Sequence, residues 1–201
     1  MCIIVNRSEA KADSMNIKKY LSDHFYFSEK LMGKLLSDCH SHSCGKKEWI
    51  LEPGQISKDV FFIESGMVKI VYYKENKWVT HFFFLENSFV TSSESLFLAK
   101  KSTYGIETIE DSQLVGIPFQ LIEDIAQSSI EMNKIIQQIL THNLIAFSRR
   151  LTSLQFESAA DRYQYLLDTN PEIIKRAPLG DIASYLGISQ QTLSVIRSQV
   201  K

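Results

Sequence analysis

Hydrophobic and polar positions divide the chain into three textures. From Met15 the segment MNIKKYLSDHFYFSEKLMGKLL sets Ile17, Leu21 and Phe25, then Leu31 and Leu35, at helical intervals. This predicts a helical opening after a tail, residues 1–14, that lacks periodicity and is expected to be disordered. Between about Ser41 and Pro118 the pattern shortens to runs rich in Val, Ile, Phe and Tyr: WILEP, VFFIE, MVKIVYY, WVTHFFF, YGIETIE and QLVGIP. Branched and aromatic residues suit a pleated, half-buried surface. The intervening EPGQISKD, ESG, KENK and EDS carry the Gly, Pro, Asn, Asp and Ser of tight turns. Such closely spaced short strands predict an antiparallel barrel or jelly roll, whose closure would remove exposed edges.

After Pro118 the period becomes helical. Phe119 to about Phe156 contains no Gly or Pro, and Ile136, Leu140, Leu144, Phe147, Leu151 and Leu154 form a stripe at steps of three and four. Met132, Ile135, Ile139, Ile145 and Ala146 widen it. An apolar arc this broad predicts a long helix, 119–156, packed on two surfaces: its own roll and the same helix of a second chain. The alternative is a core helix within a monomer. The remainder, 157–201, reads as three short helices, AADRYQYLLDT, LGDIASYLG and SQQTLSVIRSQVK, broken at Pro171 and Pro178. The expected organisation is α+β: a β-roll with flanking helices and the long helix over 15–156, then a helical domain over 157–201.

Within that last domain, PLGDIASYLGISQQTLSVIR has the layout of a helix-turn-helix. Ala183 is small where the helices would cross, Gly187 closes the first helix and Ser189 caps the second. Leu193 and Ile196 face inward, leaving Gln190, Gln191, Ser194 and Arg197 outward. Gln suits the adenine edge, Arg suits guanine or phosphate, and Ser or Thr suits either. A DNA-binding surface therefore comprises Ser189, Gln190, Gln191, Thr192, Ser194 and Arg197. An ordinary helical hairpin that binds nothing has the same core pattern.

Charge gives no independent support for nucleic acid. The 201 residues carry 22 basic and 23 acidic side chains, a net charge of -1. The segment from Glu157 onward has five of each sign, so its general attraction to phosphate is weak. Apolar runs such as Phe82 to Leu85 fall far short of the roughly 20 residues that span a bilayer. The opening MCIIV lacks the basic and small-residue features of a secretory signal. Cys2, Cys39 and Cys44 are an odd number at no familiar disulfide spacing, which fits a reducing compartment. A cytoplasmic location without membrane contact is expected.

From about Met15 onward the sequence resembles the Crp/Fnr family of bacterial transcription regulators. The carrying residues are PGQISKDVFFIESGMVKIVYY, with turn glycines Gly54 and Gly66, and RYQYLLDTNPEIIKRAPLGDIASYLGISQQTLSVIR. The resemblance implies a cyclic-nucleotide-binding-type β-roll, a dimerisation helix and a C-terminal helix-turn-helix that here lacks a full wing. It also implies three partners: a pseudo-palindromic DNA operator, a second copy of the chain and RNA polymerase. Two departures alter the expectation. Thr91-Ser92 stands where cyclic-AMP-binding members have Gly-Glu, and Ser102 or Thr103 where their phosphate-binding Arg is expected. Without that bidentate partner cyclic AMP is not expected to bind, and no cofactor is expected. The roll either takes another small molecule around Ser92, Ser93, Glu94, Thr103 and Tyr104 or serves as a dimer scaffold. Val195 occupies the neighbourhood in which members commonly carry a second basic residue, so each half-site should bind weakly.

Two rival readings follow from other residues. Cys39-His40-Ser41-His42-Ser43-Cys44 is a cluster of soft ligands, but six contiguous residues rarely enclose a tetrahedral ion. An extended strand would turn His40, His42 and Cys44 to one face and Cys39 to the other. No metal is expected there. His40-x-His42 with Glu48 and Gly54 faintly resembles the first metal motif of a cupin, but the spacings miss and the late strands supply no further His. No enzyme activity is expected. The second rival is a degenerate family member that dimerises and binds a ligand or protein without touching DNA.

Overall fold

The computed structural model describes residues 3–4, 15–26 and 28–199. Its elements are β1 (Ile3–Ile4), α1 (Met15–His24), α2 (Glu29–Leu36), β2 (His40–Cys44), β3 (Trp49–Leu51), β4 (Asp59–Ser65), β5 (Val68–Lys74), β6 (Lys77–Phe84) and β7 (Phe89–Val90). They continue with α3 (Ser93–Leu98), β8 (Gly105–Thr108), β9 (Ser112–Pro118), α4 (Phe119–Ala126), α5 (Ile130–Phe156), α6 (Ala159–Thr169), α7 (Pro171–Arg176), α8 (Leu179–Leu186) and α9 (Gln190–Gln199). Of the stretch expected to be a disordered tail, Ile3–Ile4 pairs with β2, and the rest lies outside the described residues.

The strand runs form two antiparallel sheets, β1-β2-β9-β4-β7 and β3-β8-β5-β6. Side chains alternate across a strand, so Phe61 and Ile63 of β4 meet Val68, Ile70 and Ile106 between the sheets. Phe62, between them in sequence, points outward beneath Ile17, Leu21, Leu35, Ile125 and Met132 of the helices. The roll is a sandwich and not a closed barrel, and its edges are managed by coverage. Among the described residues strand β6 pairs only with β5, and helix α8 lies along its other edge, where the Thr80 N–H donates to Ser184 Oγ at 2.8 Å.

Three helix boundaries differ from the sequence reading. The opening segment forms two helices, because Ser28 caps α2 by accepting from the Leu31 N–H. The expected 119–156 helix is interrupted at 127–129, where Ser129 accepts from the Met132 N–H and starts α5. Capping hydroxyls compete with helix continuation without any Gly or Pro. The C-terminal domain has four helices in place of three, because Pro171 begins α7 at a position where no N–H is required.

Helices α6 to α9 share one core with the roll: Tyr163, Leu166, Ile173, Ile182, Leu186, Leu193 and Ile196 meet Met67, Phe83 and Ile109. Two ionic contacts flank that core. Lys69 Nζ lies 2.9 Å from Glu107 and 3.0 Å from Asp181. The Arg176 guanidinium donates to Glu86 at 2.6 Å and also pairs with Glu110. Burial alone would push the Glu86 carboxyl up, but hydrogen bonds from Arg176 and the Gly66 N–H hold its pKa below the ordinary 4.5. A carboxylate depressed in the folded state contributes stability above its unfolded pKa, and that contribution is lost as pH falls through the folded value. The urea midpoint is therefore expected to fall below about pH 4.5. Arg176→Ala should flatten that part of the pH profile, and an unchanged slope in the variant would remove Glu86 from the account.

Candidate nucleic-acid interface and roll pocket

Helix α9 is held from behind and open in front. Leu193 is fully buried and Ile196 nearly so, while Ala183 lets α8 and α9 approach. Gly187 ends α8 at φ +70°, a left-handed conformation that costs glycine little, and its N–H closes the last turn on Ser184. Ser189 Oγ then accepts from the Thr192 N–H at 3.1 Å and fixes the start of α9. All six sequence-predicted positions, Ser189, Gln190, Gln191, Thr192, Ser194 and Arg197, are brought to one exposed region.

They are not equally free. The Ser189 and Thr192 hydroxyls are bonded to each other at 2.9 Å. Gln190 Nε2 lies back over α8, 2.7 Å from where a Cβ on Gly180 would stand. Gln191, Ser194 and Arg197 therefore present the least encumbered polar groups. Val195 adds an apolar, 55% exposed side chain to the same surface. Of the other basic residues in this domain, Arg162 donates to Leu186 O and Glu157 O, Arg176 pairs with Glu86 and Glu110, and Lys175 pairs with Glu172.

In the roll, the five candidate ligand-binding residues also come together, but on one another. Ser92 is fully buried and caps α3. The Ser93 N–H donates to Tyr104 Oη, which donates in turn to Thr91 O. Glu94 Oε2 accepts from both the Thr103 N–H and its hydroxyl at 2.9 Å, bonds that hold its carboxyl below the usual range. Ser102, buried, donates to Tyr104 O. Among the described residues this network contains a carboxylate and no arginine. An incoming phosphate would meet like charge and a set of donors already committed.

The Cys39 to Cys44 segment divides as strand alternation requires, and Cys44 is disulfide-bonded, against the expectation that the cysteines carry no disulfide. Cys39 turns away, its thiol donating to Leu35 O and pushed up to about 12 by burial, then by Asp38 and Asp59. His40 and His42 project to the inner face, their ring centroids 4.7 Å apart. Burial, with His40 beside it, lowers His42 to about 4, so its ring is neutral at pH 7.

Residues 42–129 match the family model of the cyclic nucleotide-binding domain. Among solved structures the chain is similar to FixK2 from Bradyrhizobium japonicum, at 17% identity and a TM-score of 0.70, over 81% of this chain and 84% of that one. It is similar to CLP, a c-di-GMP responsive global regulator of Xanthomonas campestris, at 18% identity and 0.66, over 84% and 89%. A third is a Crp/Fnr-family regulator from Eubacterium rectale, at 14% identity and 0.70, over 90% and 87%. The chain has the Crp/Fnr regulator fold. No curated protein matches its sequence.

The matched region of this Crp/Fnr fold contains the whole Ser92 to Tyr104 network and ends at the start of α5. The α9 surface lies beyond it, so the interface rests on the structure and on residue chemistry. Sequence reasoning missed Gly180, which makes room for Gln190, and Asp59, which the sheet brings beside the two histidines. Neither carries a local signal, since both are defined by partners from another element. No helix among the described residues is long and apolar enough to cross a membrane.

Proposed function

We propose that the chain is a homodimeric, sequence-specific DNA-binding regulator of the cytoplasm, with no enzyme activity and a roll that does not take cyclic AMP. The observation that carries this reading is α9: a helix locked by Leu193 and Ile196 that turns an exposed row of polar side chains outward at the far end of a regulator fold. Gln191 and Ser194 face base edges, with Gln190 joining them if it swings away from Gly180. Ser189 and Thr192 set the helix start against the backbone, and Arg197 contacts phosphate or guanine. Two-fold symmetry then requires a pseudo-palindromic operator with half-sites about 34–36 Å apart. Glu94 commits its carboxylate to Thr103, in the stretch where the resemblance would require the phosphate-binding Arg, and this supports the absence of a cyclic AMP response.

Selection of bound duplexes from a random DNA pool tests this directly. The wild-type chain is expected to enrich a palindrome, and Arg197→Ala to bind all enriched sequences more weakly. Gln191→Ala should relax preference at one base position, where one good contact is worth about 1–3 kcal/mol. No enrichment from a folded, dimeric protein would favour a partner other than DNA. Equal loss on every sequence from both variants would overturn the division between reading and positioning residues.

A further inference from the structure

At one end of the roll, the inner face brings together three donors that the sequence keeps apart. His40 and His42 come from β2, and Asp59 comes from β4, with β9 running between those strands. Their ligand atoms all lie within 4.8 Å of one another. The register explains the convergence: His40 pairs with Gly116, which on its other side pairs with Phe61. Gly116 has no side chain to fill the space above it. A Cβ there would stand 2.5 Å from His40 Nε2 and 2.9 Å from His42 Nε2. Both nitrogens therefore point at the same small space.

Two further observations mark that space as built for a ligand. His42 is only 9% exposed, and its Nε2 has no hydrogen-bond partner, an arrangement that buried polar atoms ordinarily avoid. His40 Nε2 and Asp59 Oδ2 are 3.4 Å apart, the spacing of two donors on a tetrahedral ion with bonds of about 2.1 Å. The ligands are also supported from behind. Ser57 and Thr91 hydroxyls both donate to the Asp59 main-chain carbonyl, which fixes the backbone that carries the carboxylate, and the His42 ring stands edge-on against Phe61 at 5.3 Å. His40 and Asp59 are about a quarter exposed, which leaves a route for an ion from solvent.

We propose that His40, His42 and Asp59 bind one divalent first-row transition ion of the Zn2+ class. Two imidazoles and one carboxylate select such ions over Mg2+ or Ca2+, which prefer all-oxygen sets. Small side-chain rotations bring the donors to bonding distance. Three protein ligands leave a further coordination position for water or a small exogenous ligand. The ion ties β2 to β4 across Gly116, so it stabilises the folded roll in proportion to its occupancy. This inference is independent of whether α9 binds DNA.

The test uses the full chain, stripped with chelator and titrated with Co2+, whose visible d–d absorption reports coordination, followed by Zn2+ in competition. One ion per chain is expected, with a Zn2+-dependent rise in the thermal midpoint that chelator reverses. His42→Ala and Asp59→Asn should each weaken binding by at least about 100-fold. Asp59→Asn, at a partly exposed position, remains informative if His42→Ala fails to fold. Cys39→Ser should leave the titration unchanged, because that thiol faces the helices. Absence of binding by the folded wild-type chain, undiminished binding in folded Asp59→Asn, or loss of binding in Cys39→Ser would each overturn the proposal.

Discussion

Lys69→Ala is expected to destabilise the protein by about 3 kcal/mol, the low end for breaking a buried ion pair. Lys69 is 9% exposed and stands between two carboxylates, Glu107 of β8 and Asp181 of α8. Asp181 Oδ1 also accepts from the Thr80 hydroxyl at 3.1 Å, so this one lysine organises the contact between the roll and the first helix of the helix-turn-helix. Its removal leaves two partly desolvated carboxylates facing each other without a cation. With a urea m-value of 2–3 kcal/mol/M, roughly that for a chain this size, the midpoint should move by about 1 M. Lys69→Met separates charge from stem, since the methylenes of lysine also pack. It should lose nearly as much. In a double-mutant cycle, Lys69→Ala with Asp181→Ala should cost less than the sum of the single changes by about 1–3 kcal/mol. Additivity within about 0.5 kcal/mol would mean that the ion pair does not hold α8 to the roll.

That contact also shows where sequence reasoning stops. The strand runs were legible because alternation and turn residues are local: WVTHFFF lies within β6, and VFFIE lies within β4. Gly187 and Ser189 were legible for the same reason, since a left-handed cap and an N-cap hydroxyl act within one turn of their own positions. Lys69 and Asp181 are 112 residues apart, and nothing in either neighbourhood announces the other. The same holds for Asp59 beside His40, where strand order brings β2 and β4 to either side of β9. The break at 127–129 was missed for a different reason. Gln127, Ser128 and Ser129 look like a polar helical turn, and only the bond from the Met132 N–H to Ser129 Oγ decides for a cap. In the roll, the sequence identified the residues that meet around Tyr104, but it did not show that Glu94 would spend its carboxylate on Thr103.

Leu144→Glu combined with Leu151→Glu is expected to convert a dimer into a folded monomer and to reduce operator affinity by about 10²- to 10⁴-fold. The 27-residue α5 extends about 40 Å, yet only Met132 and Ile135, in its first two turns, are buried against the rest of the chain. Farther along, Leu140, Leu144, Phe147, Leu151 and Leu154 recur at steps of three and four and stay between 41% and 69% exposed. Single exposed apolar side chains are ordinary, but a row of them on one helix is a surface that expects a partner. Steps alternating between three and four form the seam that another helix of the same pattern fills, so in the proposed dimer a second copy would meet it by two-fold symmetry. Carboxylates at two seam positions oppose their own copies across that axis and remove apolar area as well. Because both leucines are exposed within one chain, circular dichroism and the thermal midpoint of the monomer should show a retained fold. Affinity falls because each helix-turn-helix must then find its half-site alone, and the few basic groups free on this domain supply little attraction to the backbone. Sedimentation and gel-shift titration at fixed salt read the two effects separately. A variant that remains dimeric would place the two-fold interface elsewhere on the molecule. A monomeric variant that binds the palindrome as tightly as the wild type would show that the two half-sites are not linked through α5.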